Sequence, residues 1–111
     1  MAHSFSRLAQ LDGGERIAAA MTAHPELIGY EQGANDTELM RARPGWIAKG
    51  GAEGLICAAS PDGLGVALKV EDGAMRGLRP ALAKLVGLPE DWGRVAVENS
   101  RGETVGTIAL G

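Results

Sequence analysis

The feature that most constrains the fold is a change in hydrophobic period at Pro44-Gly45. Before this dipeptide, apolar side chains recur at helical spacing, and after it they follow strand-like runs. The sequence predicts three successive strands there: Trp46 to Lys49, Leu55 to Ala59 and Leu64 to Val70. The connections between them are too short for a crossover helix, so neighbouring strands should pair antiparallel.

Helices are predicted on both sides of these strands. A short amphipathic helix should cover Phe5 to Leu11, and a second should begin after an N-cap at Asp12 and end at His24. Glu26 to Gly33 is expected to be a loop. Asn35 or Asp36 should then cap a short helix over Thr37 to Ala42.

The C-terminal part predicts one longer helix followed by a hairpin. The helix covers residues 74–86, with an apolar stripe formed by Met75, Leu78, Leu82 and Leu85. Pro80 should make the regular helix start near Gly77 or carry a kink, and Gly87 should end it. Arg94 to Glu98 and Glu103 to Ala109 flank a turn sequence. The fold class is therefore α+β, a single domain over residues 1–111 with helices packed on an antiparallel sheet.

Composition excludes several classes of function. The net charge is −3, which gives no electrostatic reason to expect nucleic-acid binding. No apolar run is long enough to span a membrane, and no signal peptide is evident, so we expect a cytoplasmic protein. Cys57 is the single cysteine, which excludes an internal disulfide and a zinc site made from a cysteine pair. We predict no cofactor and no metal ligand.

A small-residue composition favours self-association. The chain has 17 glycines but only 2 Trp, 1 Tyr and 1 Phe. Small side chains bury little apolar area each, so such a core gains stability from close backbone approach or from a partner surface. We therefore expect a homo-oligomer, such as a dimer, or a complex with another chain.

Lys49 is the first candidate for a functional residue. It ends a predicted strand just before Gly50 and Gly51, where a bare backbone would let a ligand approach closely. A lysine so placed can bind a carboxylate or act as a base. The alternative is a solvated lysine at a strand end, and spacing alone favours that alternative.

Other polar residues have simpler structural explanations. Glu53 can be a site residue or a loop charge. Asp36 and Thr37 can bind a polar ligand, but helix capping accounts for both. Cys57 lies among apolar strand residues, where cysteine is usually a small buried hydrophobe. His24, at a helix end, more often packs than catalyses.

Four motifs in order resemble one enzyme family. They are Ala23-His24-Pro25-Glu26-Leu27, Asp36-Thr37 with Leu39-Met40-Arg41, Ala48-Lys49-Gly50-Gly51-Ala52-Glu53-Gly54, and Gly65 to Gly73. The succession is similar to the C-terminal part of the bacterial L-asparaginase II family, the thermolabile, Rhizobium-type asparaginases. The third motif is the most specific of the four.

The resemblance implies both an activity and a fold. Members hydrolyse L-asparagine to L-aspartate and ammonia, and their architecture is similar to serine β-lactamases and penicillin-binding proteins. In that architecture a Lys-(Ser/Thr)-Gly strand lines the active site. The resemblance therefore implies that Lys49 is a catalytic lysine, with Gly50, Gly51, Glu53 and Asp36 at the substrate-binding site.

One part of the family's chemistry is missing from these residues. The family's nucleophile lies in a Ser-x-x-Lys motif, and none of the chain's serines has a lysine three residues later. We expect the chain to be a C-terminal fragment that is inactive alone and is completed by a missing N-terminal half. L-asparagine or a similar small amide would be its ligand, with the preference over glutamine open. The alternative is a non-catalytic binding or assembly module that keeps the family core.

Overall fold

A computed structural model describes residues 1–29 and 33–110. It confirms the α+β class, with helices packed on a three-stranded antiparallel sheet. The helices are α1 (Ala2–Arg7), α2 (Gly14–Ala23), α3 (Glu26–Gly29), α4 (Asn35–Ala42), α5 (Leu78–Val86) and α6 (Glu90–Gly93). The strands are β1 (Ile47–Gly51), β2 (Leu55–Ala59), β3 (Gly65–Lys69), β4 (Val95–Glu98) and β5 (Thr104–Ile108). None of the helices in the described ranges is long and apolar enough to cross a membrane.

The main sheet has the order β1-β2-β3, as the short connections predict. The bounds of β2 agree with the prediction. Strand β1 starts one residue later and ends two residues later than predicted, and β3 is one residue shorter at each end. In the register, Lys49 lies opposite Cys57, and Cys57 lies opposite Ala67. Because side chains alternate along a strand, Lys49 and Cys57 belong to one face and Gly50 and Ile56 to the other.

Most of the buried apolar residues lie between that second face and helices α4 and α5. Leu39 and Met40 point inward from α4, as predicted. The core cluster consists of Leu39, Met40, Ala48, Ile56, Ala58, Leu78, Leu82 and Val86. Helix α1 covers the opposite face, where a side chain at Gly65 would overlap the backbone of Ala2. Cys57 is buried there, which confirms its interpretation as a small buried hydrophobe.

The helix starts differ from the capping predictions. Helix α2 has Gly13 as its N-cap, with φ of 75°, and no side-chain capping bond, so the N-cap role of Asp12 is wrong. Helix α4 has Ala34 as its N-cap, so neither Asn35 nor Asp36 caps it. The predicted loop after His24 is wrong in its first half, because Glu26–Gly29 forms α3. Its residues 30–32 lie outside the described residues.

The longer helix confirms the prediction about Pro80 and corrects the predicted stripe. A 3₁₀ turn over Met75–Gly77 precedes α5, which starts at Leu78 and holds Pro80 in its first turn, where proline is tolerated. Leu78 and Leu82 are buried, but Met75 and Leu85 are 51% and 55% exposed. Val86 replaces Leu85 in the core because positions four apart share one helical face.

The predicted C-terminal hairpin is present but forms a sheet of its own. Strands β4 and β5 pair antiparallel, with a register shift between Val97 and Glu98. Helix α6, which the sequence did not suggest, links α5 to this hairpin. The sheet of the hairpin and the main sheet share no strand pairing among the described residues.

Candidate functional site

Four of the five predicted site residues line one pocket. Asp36 from α4 and Lys49, Gly50 and Gly51 from β1 surround a cavity of about 320 Å³. The remaining lining residues are Ile28, Gly29, Gly33, Ala34, Asn35, Leu55, Ile56, Met75 and Leu78. Elements distant in sequence, α3, α4, β1, β2 and the turn before α5, therefore meet at this place.

Asp36 is the buried carboxylate of the pocket, with a side chain only 6% exposed. Its Oδ1 accepts a hydrogen bond from the backbone N–H of Thr37 at 2.9 Å, and its Oδ2 accepts one from Gly50 at 2.8 Å. The second bond joins the first turn of α4 to strand β1. Asp36 therefore fixes the position of the strand that carries Lys49.

Lys49 lies at the rim, with about half of its side chain exposed. Its Nζ donates to the carbonyl oxygen of Gly50 at 2.7 Å and lies 3.8 Å from Asp36 Oδ2. The ammonium group therefore sits beside a buried negative charge and faces solvent on its other side. A small anionic or polar ligand in the pocket could reach it without displacing any buried group.

The glycines in β1 lie close to other groups of the chain itself. A Cβ at Gly50 would lie 3.3 Å from Asp36 Oδ2, and one at Gly51 would lie 2.9 Å from Leu55 Cδ2. The sequence suggested that this bare backbone admits a ligand. In the structure the N–H of Gly50 already donates a hydrogen bond to the carboxylate of Asp36, so this N–H is not available as a donor to substrate.

Glu53 is separated from the other four predicted residues. It is exposed in the β1–β2 turn and does not line the pocket. Its φ of 58° is in the left-handed region, which is uncommon for a residue other than glycine. Its carbonyl oxygen accepts a hydrogen bond from Lys69 Nζ. Its place in the turn agrees with the interpretation as a loop charge.

The other candidates from the sequence have structural partners. Thr37 is buried, and its hydroxyl donates to the carbonyl of Pro25 at 3.0 Å. Burial raises the pKa of the Cys57 thiol, which favours the unreactive protonated form. His24 Nδ1 lies 3.4 Å from a carboxylate oxygen of Glu26 at the surface.

Gly29 is one of the pocket residues that sequence reasoning missed. A side chain at this position would overlap both Thr37 Oγ1 and Asp36 Oδ1, so α3 can approach α4 only with glycine here. The local sequence carries no signal of this approach, because it depends on how two helices pack. Met75 and Leu78 were assigned to the core stripe, and they also form part of the pocket wall.

The described residues that line the pocket supply a cation and a carboxylate, and none of them carries a hydroxyl group. None of the serines Ser4, Ser6, Ser60 and Ser100, all within the described ranges, lines it. At the surface, the hydroxyl of Ser6 donates a hydrogen bond to the backbone carbonyl of His3, and that of Ser60 donates to the carboxylate of Asp62. No group of three or more His, Cys, Asp or Glu side chains within residues 1–29 and 33–110 could hold a metal ion.

The family of the chain follows from its whole sequence. Residues 1–110 match the family model of L-asparaginase II. The chain belongs to the L-asparaginase II family. No curated protein matches it. Membership in this family indicates an asparaginase-like function.

Proposed function

We propose that this chain supplies the lysine strand of an L-asparaginase II active site, in which L-asparagine is hydrolysed to L-aspartate and ammonia. The observation that carries the proposal is the convergence of Asp36, Lys49, Gly50 and Gly51 on one pocket. This convergence occurs in a chain that belongs to the L-asparaginase II family. Lys49 is the catalytic residue and moves protons between the nucleophile and the leaving ammonia.

Asp36 supports this role of Lys49 through its hydrogen bond with strand β1. The N–H of Thr37 holds its carboxylate within α4, and the N–H of Gly50 joins that carboxylate to β1, so that Lys49 is presented at the rim in a fixed place. The negative charge 3.8 Å from Lys49 Nζ also compensates the ammonium group in the resting state. We therefore assign Asp36 to positioning, and the solvent-facing side of Lys49 to the substrate.

The nucleophile comes from outside these 111 residues. Acyl transfer from an amide needs a nucleophile, a base and oxyanion donors at one point. The chain offers the lysine, but none of its serines lines the pocket. A segment with the family's Ser-x-x-Lys motif, from an N-terminal half, would complete the site and extend the fold toward the serine β-lactamase architecture.

The experiment that tests the proposal is complementation. The purified chain is mixed with a separately produced N-terminal half of a family member, and ammonia release from L-asparagine and from L-glutamine is measured. We expect no activity from the chain alone and activity from the mixture. Lys49→Ala should lower the activity of the mixture by about 10²–10⁴-fold, the usual contribution of a general acid–base group.

Lys69→Ala is the matched control, because Lys69 is also an exposed strand lysine but lies outside the pocket lining. It should leave the activity of the mixture unchanged. Equal losses for the two variants would contradict the assignment of Lys49. A mixture that assembles without gaining activity would instead favour the alternative, a binding or assembly module, for which the absence of a serine at the pocket is the supporting observation.

A further inference from the structure

The β4–β5 hairpin has two free edges within the described part of the chain. Its strands pair only with each other, and most of their side chains are exposed. In a two-stranded sheet, alternate peptide groups of each strand point away from the partner strand and offer hydrogen bonds to another strand. An isolated hairpin of this kind is only marginally stable in water.

The two edges are not equivalent. In the register, Val97 lies opposite Gly106 and Glu98 lies opposite Thr104, which leaves Val105 as an extra residue on β5. Such a bulge bends a strand and interrupts its row of peptide groups, which protects that edge from further pairing. Strand β4 carries no extra residue from Val95 to Glu98, so its edge is the better template.

The sequence of β4 is complementary to itself. When β4 pairs antiparallel with the same strand of a second copy about a two-fold axis at Ala96, Arg94 lies opposite Glu98 and Val95 lies opposite Val97. Because of the two-fold symmetry, each of these pairs occurs twice in the dimer. Opposite charges and β-branched residues directly across an antiparallel pair are stabilising. An axis moved to Val95 or Val97 loses both charge pairs.

The charges on this strand are available for such pairing. Glu98 has no ion pair or side-chain hydrogen bond to any other described residue. Arg94 places Nη2 2.9 Å from Glu90 Oε1 and Nε 3.6 Å from Asp91 Oδ1. These contacts leave its Nη1 for the carboxylate of Glu98 from a second copy. The two exposed intramolecular pairs are individually weak and do not prevent a third contact.

We propose that two copies of this chain associate through the outer edges of their β4 strands and form a four-stranded antiparallel sheet with the order β5-β4-β4-β5. The surface that this contact buries is small compared with the roughly 1,200–2,000 Å² of stable interfaces. The dimer is therefore weak and dissociates on dilution. The contact is independent of the chemistry at Lys49.

Charge reversal in two separate chains tests the proposal. Sedimentation equilibrium is measured over a wide concentration range for the wild type, Arg94→Glu, Glu98→Arg and an equal mixture of the two variants. Each variant alone faces like charges at both pairs, so its dimer should be at least about tenfold weaker. In the mixture both pairs are Arg–Glu again, and heterodimers should form with an affinity near that of the wild type.

Controls separate this contact from loss of folding and from general charge effects. Glu15→Arg on α2 changes the net charge in the same direction and by the same amount as Glu98→Arg, and it should leave the dimer unchanged. Circular dichroism should show that both hairpin variants remain folded. A monomeric wild type at all concentrations, or a mixture that associates no better than the single variants, would overturn the proposal.

Disulfide trapping gives a second readout that does not depend on charge. Ala96→Cys places two thiols across the two-fold axis, within the usual Cβ separation of opposite residues, and should cross-link the dimer on mild oxidation. Thr107→Cys is the control, because Thr107 lies opposite Ala96 on β5, one strand further from the axis. Cross-linking of Thr107→Cys instead of Ala96→Cys would place the interface on the other edge and overturn the assignment.

Discussion

The hairpins β1–β2 and β4–β5 are both antiparallel pairs of short strands, yet they are held in very different ways. Four of the five residues of β2 are buried, whereas three of the four residues of β4 are exposed. The first hairpin receives a carboxylate from α4, a second sheet partner in β3 and cover from α1 and α5. The second hairpin is held mainly by its own ladder.

This difference shows why the candidate site lies on the first hairpin. A lysine can be presented in a fixed geometry only where contacts from other layers hold its strand, because strand pairing alone leaves a hairpin marginal. Asp36 supplies such a contact at Gly50, directly next to Lys49. Within the described ranges no side chain from another layer makes a comparable hydrogen bond to the strands of the second hairpin, and its free edge is suited to association instead of chemistry.

The largest difference between the hairpins should come from truncation of an apolar side chain in each. Ile56→Ala in β2 removes a fully buried side chain and should lower the free energy of unfolding by about 2–5 kcal/mol. Val105→Ala in β5 changes a side chain that is 64% exposed and should stay within about 0.5 kcal/mol. Urea unfolding measures both. Similar losses would show that the second hairpin is as firmly packed as the first.

A smaller difference is expected when one carboxylate in each hairpin region becomes an amide. Asp36 uses one oxygen for Thr37 N–H and the other for Gly50 N–H. In Asp36→Asn only one oxygen remains, so one N–H must face the amide NH₂ group, and we expect a loss of about 1–3 kcal/mol. Glu98 has no ion pair or side-chain hydrogen bond to lose among the described residues, so Glu98→Gln should be neutral.

Both variants should be measured in thermal or urea unfolding at low protein concentration, where association through β4 does not contribute. Amide exchange at Gly50 provides a local readout, and it should be faster in Asp36→Asn but unchanged in Glu98→Gln. An unaltered Gly50 amide in Asp36→Asn would contradict the role of this carboxylate in holding β1.

The fold was predictable where the signal is local. The bounds of β2, the start of the regular helix near Pro80 and the left-handed glycine at residue 87 all follow from periodicity and backbone preferences. Helix starts were less predictable, because Gly13 and Ala34 serve as N-caps without any side-chain bond. The exposure of Leu85 also depended on the orientation of α5 against the sheet, which the sequence pattern leaves open.

Four residues of the candidate site could be predicted from the sequence, but the contacts between them could not. Motif resemblance selected Asp36, Lys49, Gly50 and Gly51, which the structure brings to one pocket. It could not show that Asp36 bonds Gly50 and thereby excludes a ligand from that N–H, because this contact joins residues 14 apart in sequence. It also grouped Glu53 with the site, since sequence proximity does not reveal that the turn carries this residue away from the pocket.

The smallest effect should come from removing the charge of Lys49. Its side chain is about half exposed and its Nζ lies 3.8 Å from Asp36, so the ion pair is screened by solvent. Lys49→Met keeps the aliphatic stem and should cost less than about 1 kcal/mol in urea unfolding. Lys69→Met, on another exposed strand lysine, should cost a similar amount.

A double-mutant cycle then separates the ion pair from the backbone bonds of Asp36. If the two N–H bonds hold β1, the coupling between Lys49→Met and Asp36→Asn should be at most about 1 kcal/mol, well below the loss in Asp36→Asn alone. A coupling as large as that loss would mean that the charge of Lys49, and not the N–H of Gly50, is the main partner of the buried carboxylate. The strand would then depend for its stability on the residue proposed for catalysis, and Lys49 could not be replaced without loosening the pocket itself.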